Sequence, residues 1–154
     1  MKDWGHASAS QIKTFRRCQR KWWFEKIMGY TSPGTPATEL GKKIHAQLEA
    51  YLLDGVRPES PIAQAGLHYL PEPKAEGLLI EEEFRYTEAV AAPVIGFIDL
   101  VEKQQGRITD HKTTSDFKWI KSEYELADDP QAIIYSQHAM KNIFPEADTV
   151  IFRH

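Results

Sequence analysis

The sequence predicts a single α/β (α+β) domain, a mixed central β-sheet flanked by helices, with N-terminal helices preceding the sheet. Three observations lead there. Apolar residues recur at helical spacing over the first third of the chain; two long runs rich in apolar and β-branched residues follow between 78 and 102; a capped helical pattern then returns at Asp129. The 154 residues, 42% hydrophobic and 27% charged, suit one core, and no internal repeat or long linker divides them. Residues 1–154 therefore read as one domain, with 1–58 as its helical part and 77–154 carrying the sheet and the last helix.

Taken in order, Ser8 or Ser10 caps a first helix on which Ile12, Phe15, Cys18 and Trp22 form one stripe. Trp22 and Trp23 cannot both face the core of one helix. Residues 29–36, with two Pro and two Gly, end it and form a loop. A second helix is predicted over 38–53, where Leu40, Ile44, Leu48, Tyr51 and Leu52 recur with a period near 3.6 and Gly55 follows as a stop. A short third helix covers 62–69 until Pro71-Glu72-Pro73 breaks it. Strands are predicted over 78–86 and 94–102, pairing antiparallel, with 107–112 joined by a hairpin through Gly106. Asp128 or Asp129 caps the last helix, Pro130 suits its first turn, and Pro145 stops it. Residues 149–152 read as a final strand.

Composition excludes several function classes. One cysteine, Cys18, allows no intramolecular disulfide, which fits a reducing, cytoplasmic compartment. The start, Met1-Lys2-Asp3-Trp4-Gly5-His6, has no apolar signal core. The longest apolar stretch, 89–98, contains Pro93 and Gly96 and is too short and broken to span a bilayer, so no membrane association is expected. No Gly-x-x-x-x-Gly-Lys-Ser/Thr run is present, so no ATP use is expected. His6, His68, His138 and His154 lack zinc-ligand spacing.

Net charge is −3, and that average is misleading. Residues 11–30 carry Lys13, Arg16, Arg17, Arg20, Lys21 and Lys26 against Glu25 alone, while residues 59–88 carry seven Glu against Lys74 and Arg85. A strongly basic helix thus sits in a mildly acidic chain.

Strand geometry supplies the chemical lead. Residues two apart on a strand share a face about 6.6–6.8 Å apart, so Asp110 and Lys112 are expected to point the same way. The hairpin through Gly106 then brings the Asp99 carboxylate close to that of Asp110. Two carboxylates and an ammonium on one face suit a hard divalent cation with a water beside it. Taken alone, Asp-x-Lys more often marks surface acids paired with lysines.

The surrounding motifs change that weighting. Gly96-Phe97-Ile98-Asp99, Asp110-His111-Lys112-Thr113-Thr114 and Gln131-Ala132-Ile133-Ile134-Tyr135 resemble the Gly-x-x-Asp strand, Asp/Glu-x-Lys strand and Gln-x-x-x-Tyr helix of the PD-(D/E)XK nuclease superfamily, specifically its RecB-like exonuclease branch. Gly41-Lys42-Lys43-Ile44-His45-Ala46-Gln47-Leu48-Glu49 resembles the branch's Gly-x-x-x-His-x-x-Leu-Glu helix, and Ser8-Ala9-Ser10 through Cys18 to Phe24 its opening helix. Five elements in the family's order cover residues 8–135.

The resemblance implies a restriction-endonuclease-like core and a Mg²⁺- or Mn²⁺-dependent DNA nuclease. The activity it implies is that of an exonuclease in DNA recombination, repair or processing, cleaving phosphodiesters with a metal-activated water. It implies His45, Asp99, Asp110 and the His111 carbonyl as metal ligands, and Lys112 as the catalytic lysine that positions the nucleophile. Gln131 and Tyr135, one helical turn apart, would support the site or touch DNA. Glu49 shares a helical face with His45 and reads either as a support behind the ligands or as structural, the latter preferred. Beside such a site, Arg16, Arg17, Arg20 and Lys21 read as phosphate contacts; for Trp22 and Trp23 two readings stand, one of them as a base-stacking surface or both packed under the loop at 29–36. The expected partner is DNA, single-stranded or at the ends of linear duplex.

Several RecB-like relatives, including AddB-type subunits and CRISPR-associated adaptation nucleases, carry an iron–sulfur cluster whose first cysteine lies in the N-terminal helix. Cys18 sits at that position and no partner cysteine follows, so no cluster is expected. The chain is then either a cluster-free member or one whose C-terminal portion is absent, and Cys18 reads as a small buried packing residue beside Phe15 and Trp22. Two rival readings are a catalytically silent DNA-binding module and an adaptor that docks a helicase or recombination partner. Retention of Asp99, Asp110 and Lys112 argues against silence, because binding alone requires none of the three.

Overall fold

A computed structural model of the chain describes residues 5–31, 33–87, 92–114 and 116–154. Met1 to Trp4 of the start, and Ala89, Val90 and Ala91 of the apolar stretch, lie outside the described residues. The elements are α1 (Ala9–Arg17), α2 (Gln19–Trp22), α3 (Pro36–Asp54), α4 (Pro61–Gly66), β1 (Leu78–Tyr86), β2 (Val94–Glu102), β3 (Arg107–Thr109), α5 (Glu123–Ala127), α6 (Pro130–His138) and β4 (Ile151–Arg153). Single π-turns extend α2 over Trp23–Ile27 and α6 over Ala139–Ile143. No helix among the described residues is long and apolar enough to cross a membrane.

The four strands form one mixed sheet in the order β1-β2-β3-β4, antiparallel except for the parallel β3–β4 pair. This is the α/β architecture expected from the sequence. The main core packs α1 and α6 on the sheet: Ala9, Phe84, Ile98, Val101, Ile108, Tyr135 and Ala139 are buried together. A second, smaller cluster of Ile44, Leu48 and Ala63 ties α3 to α4. Gly96 is what lets α6 approach β2. A Cβ there would stand 2.6 Å from the Phe84 ring and 3.0 Å from Tyr135, which itself meets Phe84 edge-on at 5.3 Å.

The basic N-terminal helix departs from expectation. It breaks at Cys18, whose backbone is extended (φ −160°, ψ 101°), and restarts because Cys18 Sγ accepts the Lys21 backbone N–H at 3.4 Å. The break ends the 100° progression at Cys18, which is exposed, and Phe15 inside α1 is exposed as well, so the predicted stripe does not face the core. Cys18 is thus a helix cap rather than a buried packing residue. Trp22 is half-buried against Phe15, at 5.3 Å, while Trp23 is exposed.

The sheet also differs at its ends. β3 stops at Thr109 rather than running to Lys112, because β4 offers it three residues and the last sheet bond is Asp110 N–H to Arg153 O at 2.9 Å. The final strand starts at Ile151 instead of 149. The short helix α5 was not anticipated, although Ser122 and Glu125 form a capping box at its start.

Candidate active site

Glu81 and Asp99 on neighbouring strands and Asp110, just past the end of β3, fall in one row. The β2–β3 register pairs Leu100 with Thr109, and one further step sets Asp110 across from Asp99. On the other side, β1 pairs Ile80 with Leu100 and Glu82 with Ile98, which puts Glu81 across from Asp99. The Glu81 backbone adopts φ +51°, a left-handed conformation rare for a non-glycine residue, and the ladder is interrupted there. Around this point the residues reaching the main core change parity, from Phe84 and Ile98 on one side to Leu79 and Val101 on the other. The kink turns Glu81 and Asp99 toward α3.

Helix α3 brings His45 to this row. Thr35 caps its start and Gly55, at φ +77°, closes its end; Ile44 and Leu48 bury one face and leave His45 toward the sheet. His45 Nδ1 lies 3.5 Å from Asp99 Oδ2, and the His111 backbone N–H donates to the same oxygen at 2.6 Å. Ligand atoms of His45, Glu81 and Asp99 all lie within 4.8 Å of one another. One imidazole and two carboxylates form a donor set that fits a divalent cation. Electrostatics agrees. Burial, and then the charge of Asp110, push the Asp99 carboxyl up to about 6. Burial and the neighbouring Glu49 raise that of Glu81. Carboxylates crowded in this way gain from a cation.

Asp110 is 2% exposed and is held differently. Its Oδ1 accepts from Gln131 Nε2 at 2.7 Å, and its Oδ2 is ion-paired with Lys112 Nζ at 2.5 Å, with no further hydrogen-bond donor among the described residues. That oxygen is acceptor-rich and stands beside the acid row, a position from which a carboxylate can also serve a cation. The His111 ring is buried among positive groups, and its pKa falls to about 4, chiefly by desolvation. Its backbone N–H, rather than its carbonyl, makes the contact with Asp99.

Gln131 and Tyr135 reach the site from α6. Tyr135 is 6% exposed in the core, one helical turn from Gln131, with its ring edge-on to Phe84 at 5.3 Å. At the start of α6, Asp129 Oδ1 accepts the backbone N–H groups of Gln131 and Ala132, while Lys13 and Lys121 both pair with its carboxylate.

The expected phosphate contacts lie further out. Arg16 Nη1 donates to the Asp128 carbonyl at 3.2 Å, Arg20 stands over the Phe24 ring at 5.7 Å, Lys21 lies 3.5 Å from Glu25, and Arg17 is exposed. The sequence reading missed Glu81, because Glu81-Glu82-Glu83 looks like a solvated acidic run. The available signal was register: pairing the two predicted strands end to end places Glu81 opposite Asp99. It also passed over Lys13, which lies among the basic residues yet turns inward.

A family model for the PD-(D/E)XK nuclease superfamily matches residues 6–91 and 63–151. The chain belongs to that superfamily. No curated protein and no solved structure gives a match. Membership makes the chain a hydrolase of nuclease type, with DNA as the implied substrate and a divalent metal as the implied cofactor. The mixed sheet with flanking helices is consistent with a restriction-endonuclease-like core. In a PD-(D/E)XK protein, the row of Glu81, Asp99 and Asp110 with Lys112 beside it is the candidate catalytic centre.

Proposed function

We propose that this chain is a Mg²⁺- or Mn²⁺-dependent deoxyribonuclease of the RecB-like branch, acting as an exonuclease on single strands or duplex ends. The observation that carries the reading is the carboxylate row with His45 on one side and Lys112 on the other. His45, Glu81 and Asp99 would hold the cation, with Asp110 and the His111 carbonyl as further oxygen donors. When bound, the cation polarises the scissile phosphodiester and lowers the pKa of a water beside it.

The protein's own groups do the rest. Without a cation the three carboxylates repel a phosphate; with it, Lys112 adds a positive donor where the attacking oxygen must be held. Lys112 remains anchored on Asp110 while its side chain stays 42% exposed, so it reaches both the acid and the substrate. Gln131 fixes one oxygen of Asp110, and Tyr135, one turn along the same helix, anchors that helix in the core. Arg16, Arg17, Arg20 and Lys21 supply sequence-independent phosphate contacts on the exposed basic helices.

The test uses end-labelled single- and double-stranded DNA, with free or blocked 5′ and 3′ ends, in Mg²⁺, Mn²⁺ or chelator. Cleavage that needs the cation and a free end supports the reading. A shifted but uncut band in every condition would establish a silent binding module instead.

A further inference from the structure

We propose that Lys13, from the N-terminal helix, is a positioning residue of the catalytic centre: it fixes the Gln131 amide so that the amide locks Asp110. This rests on the nuclease reading and extends it to a residue 118 positions away from Gln131 in the chain.

The argument is one of donors and acceptors. Lys13 Nζ donates to Gln131 Oε1 at 3.0 Å, and Gln131 Nε2 donates to Asp110 Oδ1 at 2.7 Å. An ammonium only donates and an ionised carboxylate only accepts, so one orientation of the amide satisfies both neighbours. The positive charge behind the carbonyl also polarises the amide and strengthens its N–H as a donor to Asp110. With Oδ1 occupied, Oδ2 is the oxygen left to Lys112 and to a cation.

Lys13 is itself held in place, because Asp129 Oδ1 pairs with it at 2.9 Å. Its side chain is one-third exposed, against 5% for Asp129. Helix α1 packs on α6, and Ser8 caps α1 one turn before Lys13. The N-terminal helix therefore contributes a working part to the centre as well as apolar packing.

Lys121 provides the control. It pairs with the same Asp129 carboxylate through Oδ2, and among the described residues it makes no bond to Gln131. Lys13→Met is expected to lower kcat by about 10- to 100-fold with KM little changed, as is typical when a partner behind a site residue is lost. Lys13→Arg is expected to restore most of that loss, and Lys121→Met to change kcat less than about threefold.

A second readout is independent of cleavage. The Gln131 side-chain amide resonances, assigned by their absence in Gln131→Ala, should include one proton shifted downfield by Asp110. They should move in Lys13→Met, return in Lys13→Arg and stay in place in Lys121→Met. Unmoved Gln131 resonances in a folded Lys13→Met protein overturn the proposal, as do equal kcat losses in the Lys13→Met and Lys121→Met proteins. A wild-type protein that cleaves nothing defeats the nuclease reading, while the amide resonances still decide the role of Lys13.

Discussion

Asp99 and Asp129 are the same residue in similarly buried settings, with side chains 11% and 5% exposed, and they serve opposite ends. Asp129 is fully compensated: two lysines and two backbone N–H groups meet its carboxylate, and it caps a helix. Asp99 has one backbone N–H and an imidazole 3.5 Å away, with Glu81 and Asp110 crowding it from both sides. A compensated buried carboxylate is a structural joint. An under-compensated one, among others of its kind, is a site that a cation completes.

The contrast breaks most visibly at the acids and the lysine of the centre. Asp110→Ala or Lys112→Ala should reduce cation-dependent DNA cleavage by about a thousandfold or more while the far-ultraviolet circular dichroism stays native. Retained activity in the folded Lys112→Ala protein would remove Lys112 from the reaction.

Asp129→Ala should act on stability first. It strips a helix cap and leaves two lysines facing each other, so unfolding in urea should show a loss of about 3 kcal/mol. An unchanged midpoint would mean that solvent already satisfies both lysines.

Glu81→Gln tests the other half. It keeps the shape and removes one negative charge, so Mn²⁺ affinity measured by calorimetry should fall about 10- to 100-fold, with apo stability equal or higher. Equal affinity would leave Glu81 outside the coordination sphere.

A smaller effect is linked to pH. The folded pKa of Asp99, about 6, lies above the ordinary 3.8, so its proton is held more tightly in the folded state. Its contribution to stability is present in full below pH about 4 and is lost as pH rises through about 6. A divalent cation replaces that proton, so added Mn²⁺ should raise Tm by a few degrees at pH 7 and by much less at pH 5. Equal shifts at both pH values would place the bound ion elsewhere. The smallest change is expected from Arg17→Ala: DNA affinity about threefold weaker, with a salt slope lower by about one and unaltered kcat.

Much of the site was legible because its motifs are local. Gly96 to Asp99, Asp110 to Lys112, and Gln131 to Tyr135 each sit within one element or at its end, where period and spacing speak directly. The register sets Asp110 one step beyond the Leu100–Thr109 pair, across from Asp99, and its charge helps raise the Asp99 carboxyl. Glu81 was hidden because its role depends on register and on a left-handed backbone that no propensity announces. Cys18 misled for a similar reason. A periodic stripe assumes a continuous helix, and one extended residue ends that continuity.

The sequence by itself determined most of the elements, the mixed sheet, the superfamily and the Asp110–Lys112 pairing, because period, caps and short motifs are written in neighbouring residues. Only the tertiary structure decided which acids stand together, which lysine reaches Gln131, and why one buried aspartate is compensated and another is not. Those distinctions depend on charges brought together from distant parts of the chain. Coulomb energy follows separation in space and the degree of burial, and sequence distance carries neither.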